Sequence, residues 1–217
     1  MIITLTGPSG VGKTTLERKL CTSDAEFHRV VSHTTRVPRE NELDGDHYHF
    51  ISVDKFTEMA ANGEFAEYAS PHGSHYGAAL TEFERPLKEG KIPFFVCDPI
   101  GASMVKSHFG LREVISIFLM PERWEVLRQR LESRGMAAEE VDRRLSESLI
   151  WVKWAAAGNV DYALVQQALA PTMPKAARLH VSMTANIAEI YRIVRNEEQR
   201  PWHPNNHWLT AIEGVAP

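Results

Sequence analysis

Gly7-Pro8-Ser9-Gly10-Val11-Gly12-Lys13-Thr14 satisfies every fixed position of the pattern G-x-x-x-x-G-K-[ST]. Glycines at these positions let successive backbone N–H groups turn inward around phosphate oxygens. A helix that starts directly afterwards aims the positive end of its dipole at the same anion. The flanks supply that context. Ile2–Leu5 is a short apolar run of the kind that forms a buried parallel strand, and a helical pattern follows from Thr14 to Leu20. Strand, glycine turn and helix together are read as a phosphate-binding loop for a nucleoside triphosphate. Lys13 is placed to reach the transferred phosphate and Thr14 to ligate Mg²⁺.

Further buried-strand candidates are Pro93–Cys97, Val114–Leu119 and Tyr162–Val165. Helices are predicted over Pro121–Arg134, with Pro121 at the first position and Trp124, Leu127 and Leu131 on one face, and over Glu139–Val152. A last helix is predicted over Thr184–Arg195, with Thr184 as its cap and Ile187, Ile190 and Val194 inward. Strands alternating with helices predict an α/β fold, a central parallel sheet covered on both faces in the three-layer α/β/α manner of P-loop proteins. Ser32–Tyr76 has a different texture, rich in His, Arg, Asp, Tyr and Gly, with a short alternating run at 48–51 and one helix candidate, Asp54–Asn62. It is read as a small inserted α+β lobe. Residues 196–217 hold Pro and Trp without a period and are read as a tail.

Composition narrows the function classes. The chain has 217 residues, 43% hydrophobic and 24% charged, with a net charge of −4. Those values fit an ordinary globular protein with a full core. A mildly acidic chain is not expected to bind nucleic acid by bulk charge or to lie on an anionic membrane. The two cysteines, Cys21 and Cys97, are far apart and read as reduced thiols. No apolar run approaches the ~20 residues of a spanning helix, and the opening residues carry no cationic leader pattern. The expected location is the cytoplasm. His47/His49 and His72/His75 offer imidazoles for a metal site, but no acidic or thiol ligand stands at suitable spacing beside them.

The inserted lobe bears on what accepts the phosphate. Ser32-His33-Thr34-Thr35-Arg36-Val37-Pro38-Arg39 places two guanidinium forks beside a backbone-fixing proline, and such forks suit bidentate phosphate binding. Asp44-Gly45-Asp46-His47-Tyr48-His49-Phe50, Gly63-Glu64-Phe65-Ala66-Glu67-Tyr68 and Gly73-Ser74-His75-Tyr76-Gly77 follow in order. Asp98-Pro99-Ile100-Gly101, Arg130-Leu131-Glu132-Ser133-Arg134-Gly135 and Arg143-Arg144-Leu145 come later. This ordered set resembles the guanylate kinase family over about residues 2–165, and the chain is identified as a diverged member of it.

The resemblance implies a P-loop nucleoside monophosphate kinase that uses ATP with Mg²⁺ to convert GMP or dGMP to GDP or dGDP by in-line phosphoryl transfer. It divides residues 1–195 into a core (1–31 and 78–195), a monophosphate-binding lobe (32–77) and a lid (about 122–157). ATP would be held by Gly7, Pro8, Ser9, Gly10, Val11, Gly12, Lys13, Thr14 and Thr15, and the metal by Thr14. Arg36, Arg39, Tyr48 and Tyr76 would hold the acceptor's phosphate, and Ser32 and Glu67 would read guanine, with Asp98 alongside. Lys13, Arg36, Arg134 and Arg144 would carry the chemistry. Arg128 and Arg130 are read instead as solvated helix faces. Expected partners are ATP and the monophosphate, with no nucleic acid and no membrane, in a monomer or homodimer.

Three departures from the family pattern stand out. Ala78 occupies a base-side position where the family usually carries a hydroxyl. Gln166-Gln167 follow the last core strand in place of the family's Asn-Asp. The segment 166–183 is longer than the family's connection. They leave room for another or modified nucleoside monophosphate, or ribose 1,5-bisphosphate, as acceptor. A non-catalytic binding module is a further alternative, opposed by the presence of Lys13, Thr14, Arg36, Arg134 and Arg144.

Overall fold

The computed structural model describes residues 1–70, 73–166 and 175–195, with the backbone alone over 175–182. In chain order the elements are β1 (Ile2–Thr6), α1 (Lys13–Ser23), β2 (Phe27–Arg29), β3 (His33–Thr34), β4 (His49–Phe50) and α2 (Val53–Ala61). Then come β5 (Phe65–Ala69), β6 (Tyr76–Ala79), α3 (Leu80–Lys88), β7 (Ile92–Val96) and α4 (Pro99–Phe109). The chain continues with β8 (Val114–Pro121), α5 (Trp124–Glu132), α6 (Ala138–Trp154), β9 (Tyr162–Gln166) and α7 (Lys175–Val194).

A five-stranded sheet runs in the order β2-β7-β1-β8-β9, with β2 parallel to β7 and β8 parallel to β9. All five residues of β1 are buried, as a strand covered on both faces requires. A separate four-stranded sheet, β4-β3-β6-β5, mixes one parallel pair with antiparallel ones. The chain forms two compact units: Met1–Thr4 with Glu17–Ile115, and Leu5–Leu16 with the described residues from Ser116 onward.

In the first unit Ile2, Val30, Phe83, Phe95, Val105 and Val114 share one buried cluster. Fully burying such a side chain stabilises by about 1.5–3 kcal/mol. Phe83 meets Phe95 edge-on at 5.5 Å. Phe56 of α2 stacks on Phe65 of β5 at 4.5 Å, which fixes the short helix against the small sheet. Ser52 caps that helix, its hydroxyl accepting the Lys55 N–H at 3.1 Å. The second unit buries Leu127 and Leu131 of α5, Val141 and Val152 of α6, and Ile190 and Ile193 of α7.

The strand–turn–helix start, the three later core strands and the short lobe helix form where the periodicity puts them, to within three residues. Two boundaries differ. Pro121 ends β8 instead of opening a helix: it is in register with Gln166, and the Glu122 N–H bonds the Gln166 carbonyl at 3.1 Å. Arg123 is extended (φ −141°, ψ 133°), so α5 begins only at Trp124. The last helix starts at Lys175, and Thr184 lies exposed in its middle instead of capping it. Its buried positions are Met183, Asn186, Ile190 and Ile193, while Ile187 and Val194 are half-buried. Alanines before Thr184 give little periodic signal, so the early turns were not visible. Helices α3 and α4 were not individually predicted. The proposed tail at 196–217 lies outside the described residues.

Candidate active site

The second unit carries the glycine-rich loop and the residues around it. Gly7, Gly10 and Gly12 adopt φ of 141°, 84° and 115°, a region that L side chains avoid. A Cβ at Gly7 would collide with the Leu119 carbonyl oxygen of β8, so the strand itself demands glycine there. Leu16 bonds back to the Gly12 carbonyl at 3.0 Å, starting α1 directly behind the loop. Thr14 and Thr15 are exposed in its first turn. Lys13 Nζ donates to the carbonyls of Gly7 at 2.5 Å and Pro8 at 3.1 Å. It also lies 5.9 Å from the centre of the Trp151 ring, an aromatic that the sequence reading did not single out.

Two arginines from the helices that follow β8 reach this loop. Arg144 Nη1 donates to Ser9 Oγ at 3.1 Å while its Nε holds Glu140 at 2.7 Å. Arg130, expected on a solvated face, donates instead to the carbonyls of Gly10 at 3.1 Å and Val11 at 3.0 Å. Burial, and then its neighbour Arg134, hold its pKa below the usual arginine value. Arg134 itself is exposed, with no ion pair among the described residues. Arg128 pairs with Asp142 at 2.7 Å, and Arg143 with Glu140 and Glu147, all on exposed helix. Spacing alone could not separate Arg130 from Arg128, because both fall on the same amphipathic helix.

Gln166 is buried and its side-chain oxygen accepts from Asn186 of α7 at 3.1 Å. Asn186 is a buried polar residue that sequence pattern had not flagged. Gln167 lies outside the described residues.

The first unit carries the arginine–tyrosine group and the buried acid. Arg36 is held on several sides: Nη2 donates to Glu42 Oε1 at 2.9 Å, Nε to Tyr76 Oη at 3.2 Å, and Nη1 to the Val37 carbonyl at 2.8 Å. Its guanidinium also lies 5.6 Å from the Tyr48 ring centre, and the Tyr48 and Tyr76 rings meet edge-on at 5.9 Å. The Arg36 partner holds the Glu42 carboxyl down at about 2. Glu42 was not among the sequence-derived site residues; its place six residues beyond Arg36 gives no periodic signal. Arg39 is exposed, although its backbone N–H also bonds Glu42 at 2.8 Å. Ser32 is half-buried, and its carbonyl accepts the His49 N–H at 2.9 Å.

Glu67 sits opposite Ala78 in the β5–β6 register. Burial, then the charge of Asp98, push its pKa up to about 7, against a bond from the Ala78 backbone N–H. Asp98 caps α4, its Oδ1 accepting the Gly101 N–H at 2.8 Å. Gly101 fits between the two acids: a Cβ there would stand 3.3 Å from Glu67 Oε2 and 3.5 Å from Asp98 Oδ1. Ala78 is fully buried. Tyr76 and Ala78 are two apart on β6 and therefore face the same side of the sheet. One strand thus supports both the arginine and the buried acid.

His33 stacks on His49 at 4.6 Å, His47 Nδ1 accepts the Leu43 N–H at 3.1 Å, and His75 bonds Ser70 at 2.6 Å. His72 lies outside the described residues. No helix among the described residues is long and apolar enough to cross a membrane.

A glycine cradle with its lysine, overlaid by arginines from later helices, is the arrangement of a P-loop nucleotide-binding protein. The guanylate kinase family model matches residues 1–178, and the chain belongs to that family. It is 37% identical over 173 residues to a guanylate kinase from Ruegeria sp. (strain TM1040), covering 79% of each chain. It is 42% identical over 143 residues to one from Methylobacillus flagellatus, covering 65% of this chain and 70% of the relative. Among solved structures it resembles the guanylate kinase of Anaplasma phagocytophilum with a TM-score of 0.65 and 24% identity, over 92% of this chain and 87% of that one. That likeness bears on the fold.

Proposed function

We propose that the chain transfers the γ-phosphoryl group of ATP to GMP or dGMP, releasing ADP and GDP or dGDP. The observation that carries this reading is the strand β6, which supports Arg36 through Tyr76 and meets Glu67 through Ala78. The two supports, Tyr76 for the proposed phosphate-binding guanidinium and Ala78 for the proposed base-reading carboxylate, are two residues apart on one strand, roughly 7 Å between their backbones. An ionised Glu67 accepts from both N1–H and the 2-amino group of guanine. Adenine offers no such donor pair, and leaving the acid unpaired can discriminate by about 10⁴. Ala78 contributes a backbone N–H here where a hydroxyl is usual, and the carboxylate remains the reader.

On this reading Arg36, Arg39, Tyr48 and Tyr76 hold the acceptor phosphate, with Ser32 and Asp98 on the base side. Residues 7–15 hold the triphosphate. The Lys13 ammonium exchanges the loop carbonyls for phosphate oxygens, which are stronger acceptors. Arg134 and Arg144 neutralise charge on the transferring group, and little covalent chemistry is asked of the protein. Thr14 fits Mg²⁺, since an exposed hydroxyl beside the cradle supplies one oxygen and the metal takes its others from phosphates and water. When bound, the ion neutralises charge between the β- and γ-phosphates. The reading assigns 32–77 as acceptor lobe and about 122–157 as lid, and places the enzyme in the cytoplasm with its nucleotides.

A coupled ADP-release assay across GMP, dGMP, AMP, CMP, UMP, dTMP and ribose 1,5-bisphosphate tests it. Turnover confined to the two guanine nucleotides is expected. No turnover with GMP overturns the reading, and GMP turnover unchanged by Glu67→Ala overturns the base-reading role.

A further inference from the structure

Within the first unit lies a cavity of about 560 Å³, lined by residues that neither half-site uses. Arg18 comes from α1, His28 and Arg29 from the edge strand β2, and Asp46 from the loop between β3 and β4; Glu82 and Arg85 come from α3. Three guanidiniums therefore face two carboxylates. Both carboxylates are already engaged. Asp46 Oδ1 accepts from Arg29 at 2.7 Å and Oδ2 from Arg18 at 3.2 Å. Glu82 Oε2 accepts the Val31 N–H at 3.1 Å, with His49 3.5 Å from its other oxygen.

Arg85 has His28 at 3.4 Å and, among the described residues, feels Glu89 through space without an ion pair to it or to any other carboxylate. The buried Glu17 beside Arg18 and Arg29 does not redress the balance. Burial pushes its pKa up to about 8, so near neutral pH it is mostly uncharged. The apolar lining offers little to a ring, since Phe27 is 3% and Val31 8% exposed. The site is built to recognise charge.

We propose that this cavity binds a small polyvalent oxyanion of the phosphate or pyrophosphate class, held by Arg18, Arg29 and Arg85. Such an anion competes with Asp46 for the guanidiniums of Arg18 and Arg29. Asp46 is two residues from Tyr48, whose ring lies beside Arg36. Occupancy therefore loosens the loop that presents Tyr48 and weakens acceptor binding. This consequence rests on the kinase reading; the binding itself does not.

The test is calorimetric titration of pyrophosphate, and separately of inorganic phosphate, into the full chain without divalent metal. The phosphate-binding loop will also take pyrophosphate, so the comparison is with Arg85→Ala, a change on the exposed face of α3. One binding event present in the wild type should be absent in Arg85→Ala and kept in weakened form in Arg85→Lys. Whichever anion shows that loss is the better ligand. Identical isotherms for wild type and Arg85→Ala, with both anions, overturn the proposal. In turnover, pyrophosphate should raise the apparent KM for GMP about fivefold more in the wild type than in Arg85→Ala. Loss of the calorimetric event in a chain that does not phosphorylate GMP keeps the site and sinks the kinase reading. An active GMP kinase with unchanged isotherms does the reverse.

Discussion

The proposed donor and acceptor halves are built differently. In the donor half the frame is main chain: three glycines with positive φ, one of them pressed against the β8 backbone, with Lys13 and Arg130 bonded to carbonyls. In the acceptor half side chains hold side chains: Glu42, Tyr76 and Tyr48 surround Arg36, and Asp98 stands beside Glu67. A main-chain frame tolerates most substitutions and fails abruptly at its glycines. A side-chain network degrades by steps, one partner at a time.

The sharpest break in that contrast would come from Arg134, which belongs to the donor half but touches no main-chain frame. On the proposed role of its guanidinium at the transferring group, Arg134→Ala should lower kcat by about 10³ with little change in the KM for GMP. A raised KM with kcat unchanged would instead make it a ground-state ligand. Gly7→Ala tests the frame itself. It should destabilise the protein by about 3 kcal/mol or more, from a strained φ and a clash with backbone that cannot move aside, as read by denaturant melts. Wild-type stability in that variant would show that the loop is not pinned by β8.

On the acceptor side Glu67→Gln should cut kcat/KM for GMP by about 10², since the amide cannot accept from both guanine donors. The acid also gives a pH signature. Its folded pKa is raised from 4.5 to about 7, so the carboxylate proposed to read guanine is lost as pH falls through 7. GMP affinity should therefore weaken on going from pH 8 to pH 6, and Glu67→Gln should flatten that slope. The linkage to stability has the opposite sense. Between about 4.5 and 7 the folded state binds more protons than the unfolded one, so Glu67 contributes stability that is gained as pH falls through 7. The smallest expected effect is Glu42→Gln, which leaves a neutral hydrogen-bonding group for Arg36 and should raise the KM for GMP about tenfold. An unchanged KM would mean that the two tyrosines hold Arg36 unaided.

The same contrast governs what could be read from the sequence. The donor loop was visible residue by residue, because a tight backbone turn around an anion constrains amino-acid type at fixed spacing. The core strands were visible because residues buried on both faces form unbroken apolar runs. Arg130 was misjudged because its role depends on where α5 lies against residues 120 positions earlier. Glu42 and Asn186 escaped for the same reason: a residue that acts by holding another needs no periodicity. Pro121 misled because its fixed φ suits either a strand end or a helix start, and only the Gln166 pairing selects the strand.

What the sequence by itself determined is the chemistry that uses main chain and pattern: a P-loop strand–turn–helix, an alternating α/β core, and a lobe rich in arginine and tyrosine. The tertiary structure alone decided which charged groups meet. It set Glu67 against Asp98 around Gly101, placed Arg130 on the loop, and gathered Arg18, Arg29 and Arg85 about one cavity. Local spacing carries the first kind of information because backbone geometry is local. Charge pairing depends on distance through space, which sequence separation does not report.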